Sequence, residues 1–206
     1  MKFGIFLFDG VEPIDIATIG VLSMAKRLSD KIDYVVFAPK AGVVTLANDL
    51  KVVADYGYDD LPAVDIIVIT GGATWPQQSK DEATMAFFRQ RASNTTLSSV
   101  CTGGFLLAHA GVLDGKQATT RCEGVPNELL PIERMAQNFP EIKVVKKAIV
   151  DEGTVVTGGG VCLCIDMMLH LISSRVSAEL ATDLARLLEY GRAWEANKQA
   201  LGEYIA

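Results

Sequence analysis

The sequence lacks the features by which a chain binds nucleic acid or crosses a membrane. Its 206 residues carry a net charge of −6, and the longest basic run is the pair Lys146-Lys147. That run is too short for a groove that follows a phosphate backbone. No stretch approaches the roughly 18 consecutive apolar residues of a membrane span. We therefore expect neither a nucleic acid nor a membrane as a partner.

Cysteine is also scarce, with four residues at positions 101, 122, 162 and 164. The apolar start, Met1–Phe8, is followed by Asp9, Glu12 and Asp15 and has no small-residue cleavage site, so it reads as a strand rather than a secretory leader. We expect a cytoplasmic protein, in which the cysteines stay as thiols and do not form a disulfide framework.

The chain has no linker rich in proline, glycine or serine, no repeat and no low-complexity segment, which favours a single domain over residues 1–206. Hydrophobic residues make up 50% of it, enough for a sizeable core. Short β-forming runs alternate with segments of helical spacing. This alternation predicts an α/β sandwich, in which helices cover both faces of a mainly parallel sheet.

The predicted elements follow from apolar periodicity and from turn residues. Strands are predicted at 2–8, 34–38, 65–70, 97–100 and 117–120, with hairpins joining 42–45 to 51–54 and 142–150 to 154–157. Helices are predicted at 14–28, 80–92, 102–110, within 126–139, at 161–176 and at 178–188. The tail at 197–206 is polar, with a helix as one reading of it.

The most informative stretch is 95–109, in which a strand ending at Val100 runs into Cys101 and then directly into a helix. Such a junction puts the sulfur over the first helical turn, where unpaired N–H groups and the helix dipole favour the thiolate. The serine of G-x-S-x-G hydrolases is held in the same way, and the pentapeptide here is Ser99-Val-Cys-Thr-Gly103. An inert, buried cysteine is the alternative that the pentapeptide leaves open.

Three predicted strands end at residues that could take part in chemistry. Asp15 follows the first strand, Gly71-Gly72 follow the strand at 65–70, and Cys101 follows the strand at 97–100. In open α/β sheets, ligands and catalytic groups gather beyond the carboxyl ends of the strands. The convergence predicts a working site there.

Five motifs, read together, carry a family resemblance. They are Phe8-Asp-Gly with Ile14-Asp-Ile, Asp65-Ile-Ile-Val-Ile-Thr-Gly-Gly72, Ser99-Val-Cys-Thr-Gly103, Leu113-Asp-Gly-Lys-Gln-Ala-Thr-Thr120, and Val156-Thr-Gly-Gly-Gly160 with Ile165-Asp166. This order, over about residues 2–190, resembles the ThiJ/PfpI superfamily of class I glutamine-amidotransferase-like proteins. Within it the chain looks most like the isocyanide hydratase branch and the amidase-like domain of some AraC-type regulators.

The resemblance implies a flavodoxin-like three-layer sandwich, commonly a homodimer, with Cys101 as the nucleophile and Asp15 beside it. A carboxylate next to a thiolate is repelled, so Asp15 would take up a proton and donate it in a hydrogen bond to sulfur. Capping of a helix is the alternative role of Asp15. Gly71, Gly72 and Thr102 would form an oxyanion site, with backbone N–H groups of Gly72 and Thr102 facing the developing charge. A simple turn is the alternative for the two glycines.

The chain departs from the family pattern next to the nucleophile. Many peptidase-like and chaperone-like relatives have a histidine where this chain has Thr102, which makes a Cys–His protease arrangement improbable. The two histidines, His109 and His170, fall in predicted helices, and we expect structural roles for both.

A second departure follows the Ala-Thr-Thr motif. Hydratase relatives continue with His-Trp, whereas this chain continues with Arg121-Cys122. Arg121 is therefore a candidate substrate-binding cation on the pocket wall. Cys122 could pair with Cys101 under oxidation if both line the same pocket.

The remaining polar motifs are interpreted as structural. Cys162-Leu-Cys164 has no further ligand nearby in sequence, which favours core packing over a metal site. Gly158-Gly-Gly160 lacks the spacing of a phosphate loop and reads as a tight turn. Asp166, in an apolar helix, needs a partner if it is buried, which favours a structural role. We expect no metal and no cofactor.

The leading hypothesis is a cysteine-dependent enzyme acting on a small electrophilic substrate. In the hydratase version, Cys101 attacks an isocyanide carbon to form a thioimidate, Asp15 relays the proton, and water releases an N-substituted formamide. Glyoxalase-like conversion of 2-oxoaldehydes is a second hypothesis, and a redox or ligand sensor using Cys101 is a third. A transcription factor is disfavoured by the length and the charge of the chain.

Overall fold

The strands of the computed structural model, which describes residues 1–206 throughout, are mostly short and buried. They are β1 (Lys2–Phe6), β2 (Asp33–Phe37), β3 (Gly42–Thr45), β4 (Lys51–Ala54), β5 (Ile66–Ile69), β6 (Thr96–Ser99), β7 (Gln117–Ala118), β8 (Lys143–Val144), β9 (Ile149–Asp151), β10 (Val155–Gly158) and β11 (Glu203–Ile205).

Eight α-helices connect or follow these strands. They are α1 (Ala17–Ala25), α2 (Trp75–Gln78), α3 (Glu82–Arg91), α4 (Gly104–His109), α5 (Pro131–Asn138), α6 (Leu163–Arg175), α7 (Ala178–Leu187) and α8 (Gly191–Leu201). No helix combines the length and the apolar character needed to span a membrane.

Seven strands form the central sheet, in the spatial order β11-β9-β10-β6-β5-β1-β2. Only β9 and β10 pair antiparallel, so the predicted, mainly parallel sheet is confirmed. Parallel strands covered on both faces are apolar along their whole length, and all four residues of β5 are buried. The predicted hairpin at 42–54 is also confirmed, as β3 and β4.

The helices pack in two groups, so the fold is a three-layer α/β sandwich. One group contains α1, α6 and α7, with α8 against α7, and the other contains α2, α3 and α4. Aromatic side chains join α3 to the sheet: the ring centroid of Phe6 lies 5.2 Å from that of Phe88 and 5.3 Å from that of Phe37. Edge-to-face and tilted pairs of this kind add to the free energy of apolar burial.

Two predictions about the C-terminal half were wrong in part. Residues 117–118 and 143–144 form a separate two-stranded sheet, so the hairpin strand before Asp151 begins at Ile149 rather than at residue 142. The polar tail is helical only to Leu201. After Gly202, whose φ is 69°, β11 adds to β9 as a parallel edge strand. The short β-forming Tyr204-Ile205 gave too little periodicity to be recognised as a strand.

Two buried carboxylates stabilise the packing of the C-terminal elements. Asp166 accepts hydrogen bonds from the Tyr190 hydroxyl at 2.8 Å and from Asn197 Nδ2 at 3.2 Å, which supplies the buried partner that the sequence required. Asp151 accepts from Arg175 Nη2 at 2.8 and 2.9 Å and lies 2.8 Å from His170 Nε2. The Asp151 carboxylate therefore joins β9 to α6. His170 has a structural role, as expected, because its ring contacts this carboxylate.

Replacing Asp151 by alanine should destabilise the fold strongly. Asp151 is 2% exposed, and removing it leaves the Arg175 charge and the His170 ring without their partner. Loss of one member of a buried ion pair costs roughly 3–5 kcal/mol. The free energy of unfolding from urea titration measures this. The matched control is Asp183→Ala, which breaks an exposed pair with Arg186 and should cost under about 1 kcal/mol. Equal losses in the two variants would contradict the assignment.

Candidate active site

Cys101 lies on a strained backbone turn where β6 passes into α4. Its φ is 55°, in the left-handed region that non-glycine residues seldom adopt. The Cys101 N–H donates to the Gly159 carbonyl at 3.0 Å, and the Thr120 hydroxyl donates to the Cys101 carbonyl at 2.7 Å. Two neighbouring segments therefore hold the strained residue, and the strand–cysteine–helix junction predicted from the sequence is confirmed as a local geometry.

Asp15 lies beside Cys101 on a single 3₁₀ turn, Pro13–Ile16, that follows β1. The side chain is fully buried, and Oδ2 accepts a hydrogen bond from the Gly71 N–H at 2.7 Å. Its other oxygen, Oδ1, has no hydrogen-bond partner of ordinary length. Burial raises the pKa of Asp15 to about 7, against smaller lowering effects from Gly71 and Cys101. A carboxyl with this pKa exchanges a proton near neutral pH.

The thiol of Cys101 differs from the thiolate expected from its position. It is 3% exposed, and burial, followed by the charge of Asp15, raises its pKa to about 11. The N–H groups of Val161 and Thr102 and the charge of Arg121 lower this pKa, but they do not outweigh burial. In the unliganded site, the proton of the pair therefore stays on sulfur when Asp15 is ionised.

Val161 belongs to the candidate site, although its sequence context did not indicate this. Its φ is 57°, a strained value for a β-branched side chain, and its N–H interacts with the Cys101 sulfur. The turn reading of Gly158-Gly-Gly160 was incomplete, because this segment also brings the Val161 N–H to the Cys101 sulfur. The glycine run was the available signal, although nothing in it marked the contact with Cys101.

Gly71, Gly72 and Thr102 lie together, but the Gly72 N–H, inferred by resemblance to face a developing charge, is bonded within the protein. The Thr102 hydroxyl accepts from the Gly72 N–H at 2.9 Å and lies 3.1 Å from the Gly72 carbonyl. The Gly72 N–H is thus engaged within the protein, and the Gly71 N–H serves Asp15. A Cβ on Gly71 would lie 2.5 Å from Thr102 N, and one on Gly72 2.2 Å from the Gly10 carbonyl oxygen. Only glycine fits at either position.

A cavity of about 360 Å³ opens beside the cysteine. The residues that line it include Cys101, Thr102, Gly72 and Val161. Its other walls combine an apolar part with four charged side chains, and they include Trp75, Pro76, Val125, Leu129, Pro131, Glu12, Arg121, Glu128 and Arg134. The volume is at the small end of the range for ligand sites. Arg121, predicted as a pocket cation, is therefore in the same cavity as Cys101.

The other cysteines do not join this site. Cys122 is not among the cavity-lining residues, and its thiol donates to the Thr120 carbonyl at 3.2 Å. The condition for a Cys101–Cys122 pairing, a shared pocket, is therefore not met. Cys164 is buried as expected, but Cys162 is exposed, because α6 begins only at Leu163. No group of three or more histidine, cysteine, aspartate or glutamate side chains in the chain could hold a metal ion.

The ring of His109 contacts aromatic side chains rather than Cys101 or Asp15. Its ring lies edge-on to Phe139, with centroids 5.0 Å apart, and 5.9 Å from the Trp75 ring. Burial lowers the pKa of His109. The ring supports the aromatic packing behind the cavity, as expected for a structural residue.

The fold and the site together define a class: three-layer α/β proteins that carry a cysteine on a strained elbow, next to an acidic side chain from the turn after β1. The chain belongs to the DJ-1/PfpI family, whose family model matches residues 1–174. This confirms the superfamily to which the sequence motifs pointed.

Similar proteins include both an enzyme and regulators. The isonitrile hydratase of Pseudomonas putida is 31% identical over 194 residues, covering 94% of this chain and 80% of that protein. The HTH-type transcriptional regulator GbdR of Pseudomonas aeruginosa is 28% identical over 93% of this chain, which spans about half (51%) of the regulator.

Solved structures agree on the fold. Drosophila melanogaster DJ-1beta superposes with a TM-score of 0.77 at 18% identity, covering 91% of this chain and 97% of that one. A ThiJ/PfpI family protein from Pseudomonas syringae gives a TM-score of 0.78 at 20% identity, covering 92% and 74%. At these identities the likeness extends to the fold alone.

The raised pKa of Asp15 predicts an unusual pH dependence of stability. Its folded value of about 7 lies above the unfolded value of about 3.9, so the folded state binds the proton more tightly. The stability contributed by the neutral carboxyl is fully present below about pH 4 and is lost as the pH rises through about 7. The side chain in Asp15→Asn stays neutral. The free energy of unfolding of this variant, relative to that of the wild type, should therefore increase by roughly 1.4 kcal/mol per pH unit across that interval.

Urea unfolding of both proteins at several values between about pH 4 and pH 8 measures this difference. The control is Asp183→Asn, a change to an exposed carboxyl, which should follow the wild type across the range. Parallel curves for Asp15→Asn and the wild type would show that burial does not raise the pKa of Asp15 as described.

Proposed function

We propose that this protein is a cysteine-dependent enzyme that hydrates a small isocyanide to an N-substituted formamide. The observation that carries the proposal is the buried pair of Cys101 and Asp15, in which a carboxyl with a pKa of about 7 stands next to a thiol whose pKa is about 11. A base of this pKa can accept a thiol proton and return it at neutral pH. The similarity to isonitrile hydratase over most of both chains supports this choice of reaction.

The first step is the addition of the thiol to the isocyanide carbon. Ionised Asp15 takes the proton from Cys101 as sulfur bonds to the carbon of R–N≡C, and then delivers that proton to the same carbon. The product is a thioimidate, R–N=CH–S–Cys101, with no atom lost. The N–H groups of Thr102 and Val161, which already lower the pKa of the thiol, stabilise the negative charge on sulfur during the attack.

The second step is hydrolysis of the thioimidate. Asp15, ionised again, accepts a proton from water as the oxygen bonds to the thioimidate carbon. The carbon–sulfur bond then breaks, the nitrogen gains one proton, and Cys101 regains the other. The products are R–NH–CHO and the free thiol, so that one water has been consumed and the enzyme is restored. Dividing the addition into two steps is the advantage of a covalent nucleophile.

The decisive experiment measures consumption of para-nitrophenyl isocyanide and formation of its formamide. The wild type should turn over, and Cys101→Ala should abolish turnover because the covalent intermediate cannot form. Cys162→Ala, which removes an exposed cysteine outside the cavity, is the matched control and should retain activity. Activity of Cys101→Ala at the wild-type level would exclude the mechanism.

The pH profile tests the role of Asp15 separately. The productive form has Asp15 ionised and Cys101 protonated, so kcat/KM should rise with pH through about 7 and level off above it. Asp15→Asn should lose about 10²-fold or more in kcat/KM and should lack this limb, because no base remains. A wild-type profile that is flat between about pH 5 and pH 9 would contradict the assignment of Asp15 as the base.

A second candidate is a ligand-binding role without turnover, favoured by the similarity to transcriptional regulators over 93% of this chain. The cavity would then hold a metabolite next to an inert thiol. Absence of turnover with both the isocyanide and methylglyoxal, which also tests the glyoxalase-like alternative, would favour this role. A redox sensor is less well supported, because peroxide attacks thiolates and the Cys101 thiol is 3% exposed with a raised pKa.

A further inference from the structure

Arg121 is a cation without a counterion inside the reactive cavity. It lines the cavity together with Cys101, and its guanidinium makes no ion pair with any carboxylate of the protein. Its charge nevertheless acts on both members of the reactive pair, lowering the pKa of Asp15 and that of Cys101. A half-buried arginine without an ion pair in the protein has N–H donors that a bound anion can engage.

The position of Arg121 is fixed by the same glycine segment that supports the nucleophile. A Cβ on Gly160 would lie 2.7 Å from Arg121 Cβ, so the arginine stem packs directly on the backbone of the loop that carries Val161. The stem of the side chain is therefore packed against this loop, and Arg121 belongs to the cavity lining. A planar guanidinium suits a planar, bidentate anion.

The negative charges around the cavity restrict which anion fits. Glu12 and Glu128 line the cavity, and Glu12 raises the pKa of Asp15 by its charge, so a bound anion has to approach three carboxyl groups. A singly charged carboxylate meets less repulsion there than a doubly charged phosphate. Apolar side chains also line the cavity, among them Trp75, which is stacked on Phe105 at a centroid distance of 4.0 Å. The cavity therefore combines cationic groups, of which Arg121 acts on the Cys101–Asp15 pair, with an apolar surface.

We propose that the substrate carries a carboxylate that Arg121 binds, with the electrophilic carbon at Cys101 and the rest of the molecule against Trp75. This inference rests on the proposed hydratase function and names its substrate class, an isocyano carboxylate. Addition of water to ⁻OOC–CHR–N≡C then gives ⁻OOC–CHR–NH–CHO, an N-formyl amino acid. The water oxygen ends on the formyl carbon, with one hydrogen on that carbon and one on nitrogen.

The test compares isocyanoacetate with its neutral methyl ester. The wild type should prefer the acid in kcat/KM by at least about tenfold, the value of a charge-assisted hydrogen bond. Arg121→Gln should reduce this ratio to about one, and Arg121→Lys, which keeps a charge, should restore part of it. Arg134→Gln, which removes the other unpaired arginine of the cavity, should change the ratio less. A ratio that is unaffected in Arg121→Gln, or affected more by Arg134→Gln, would overturn the assignment.

A binding measurement separates failure of this inference from failure of the proposed function. N-formylglycine and N-formylglycinamide are titrated into Trp194→Phe protein, in which the remaining tryptophan, Trp75, reports on the cavity by fluorescence. If the acid binds more tightly than the amide, and if this preference is lost in Arg121→Gln, the carboxylate site is supported even when neither isocyanide is turned over. Equal binding of the two compounds, or equal turnover of acid and ester, overturns it while leaving the hydratase proposal intact.

Discussion

The burial of a carboxyl group next to a thiol is the constraint on which the rest of the site depends. Asp15 is fully enclosed, and its only short hydrogen bond comes from the Gly71 N–H. Removing an ionised carboxylate from water is expensive, so its pKa rises into the range where proton transfer is useful. The same burial raises the pKa of Cys101, which keeps the thiol protonated until a base takes the proton. Reactivity is thereby linked to the partner carboxyl instead of being permanently present on sulfur.

The fold maintains this pair by holding two residues in an unfavourable backbone conformation. Cys101 and Val161 both have φ near +55°, and each such residue costs about 1–3 kcal/mol. The cost is offset by hydrogen bonds to segments that follow different strands: Gly159 after β10 accepts from Cys101, and Thr120 after β7 donates to it. Because these bonds connect segments far apart in sequence, the strained geometry persists only in the complete sheet.

The sequence predicted the fold well, because parallel strands buried on both faces are continuous apolar runs that alternate with helices. It also predicted that Asp15, Gly71-Gly72 and Cys101 meet at one edge of the sheet, since the carboxyl ends of parallel strands lie together. It failed for the edge strand β11, whose three residues pair with β9 only in the folded chain. Short strands at an edge depend on tertiary pairing and carry little periodicity of their own.

Two features of the site depend on three-dimensional packing in the same way. The role of Val161 follows from the direction of one N–H after a glycine run, which no residue-type preference reveals. The sequence position of Cys101 favours a thiolate, but burial, with the thiol 3% exposed, raises its pKa and opposes the effect of the six-residue helix that follows. Burial is a property of the whole fold, and the pattern around one cysteine does not report it.

The hydroxyl of Thr102 has a wider consequence, because it contacts both the N–H and the carbonyl of Gly72. Two loops that follow β5 and β6 are thereby locked to each other at the floor of the cavity. The wall between Arg121 and Arg134 belongs to another part of the chain and includes several exposed residues. The cavity floor is thus held by backbone-level contacts, whereas most of that wall consists of exposed side chains, so substitutions in the wall can change which ligand fits while the floor keeps its geometry.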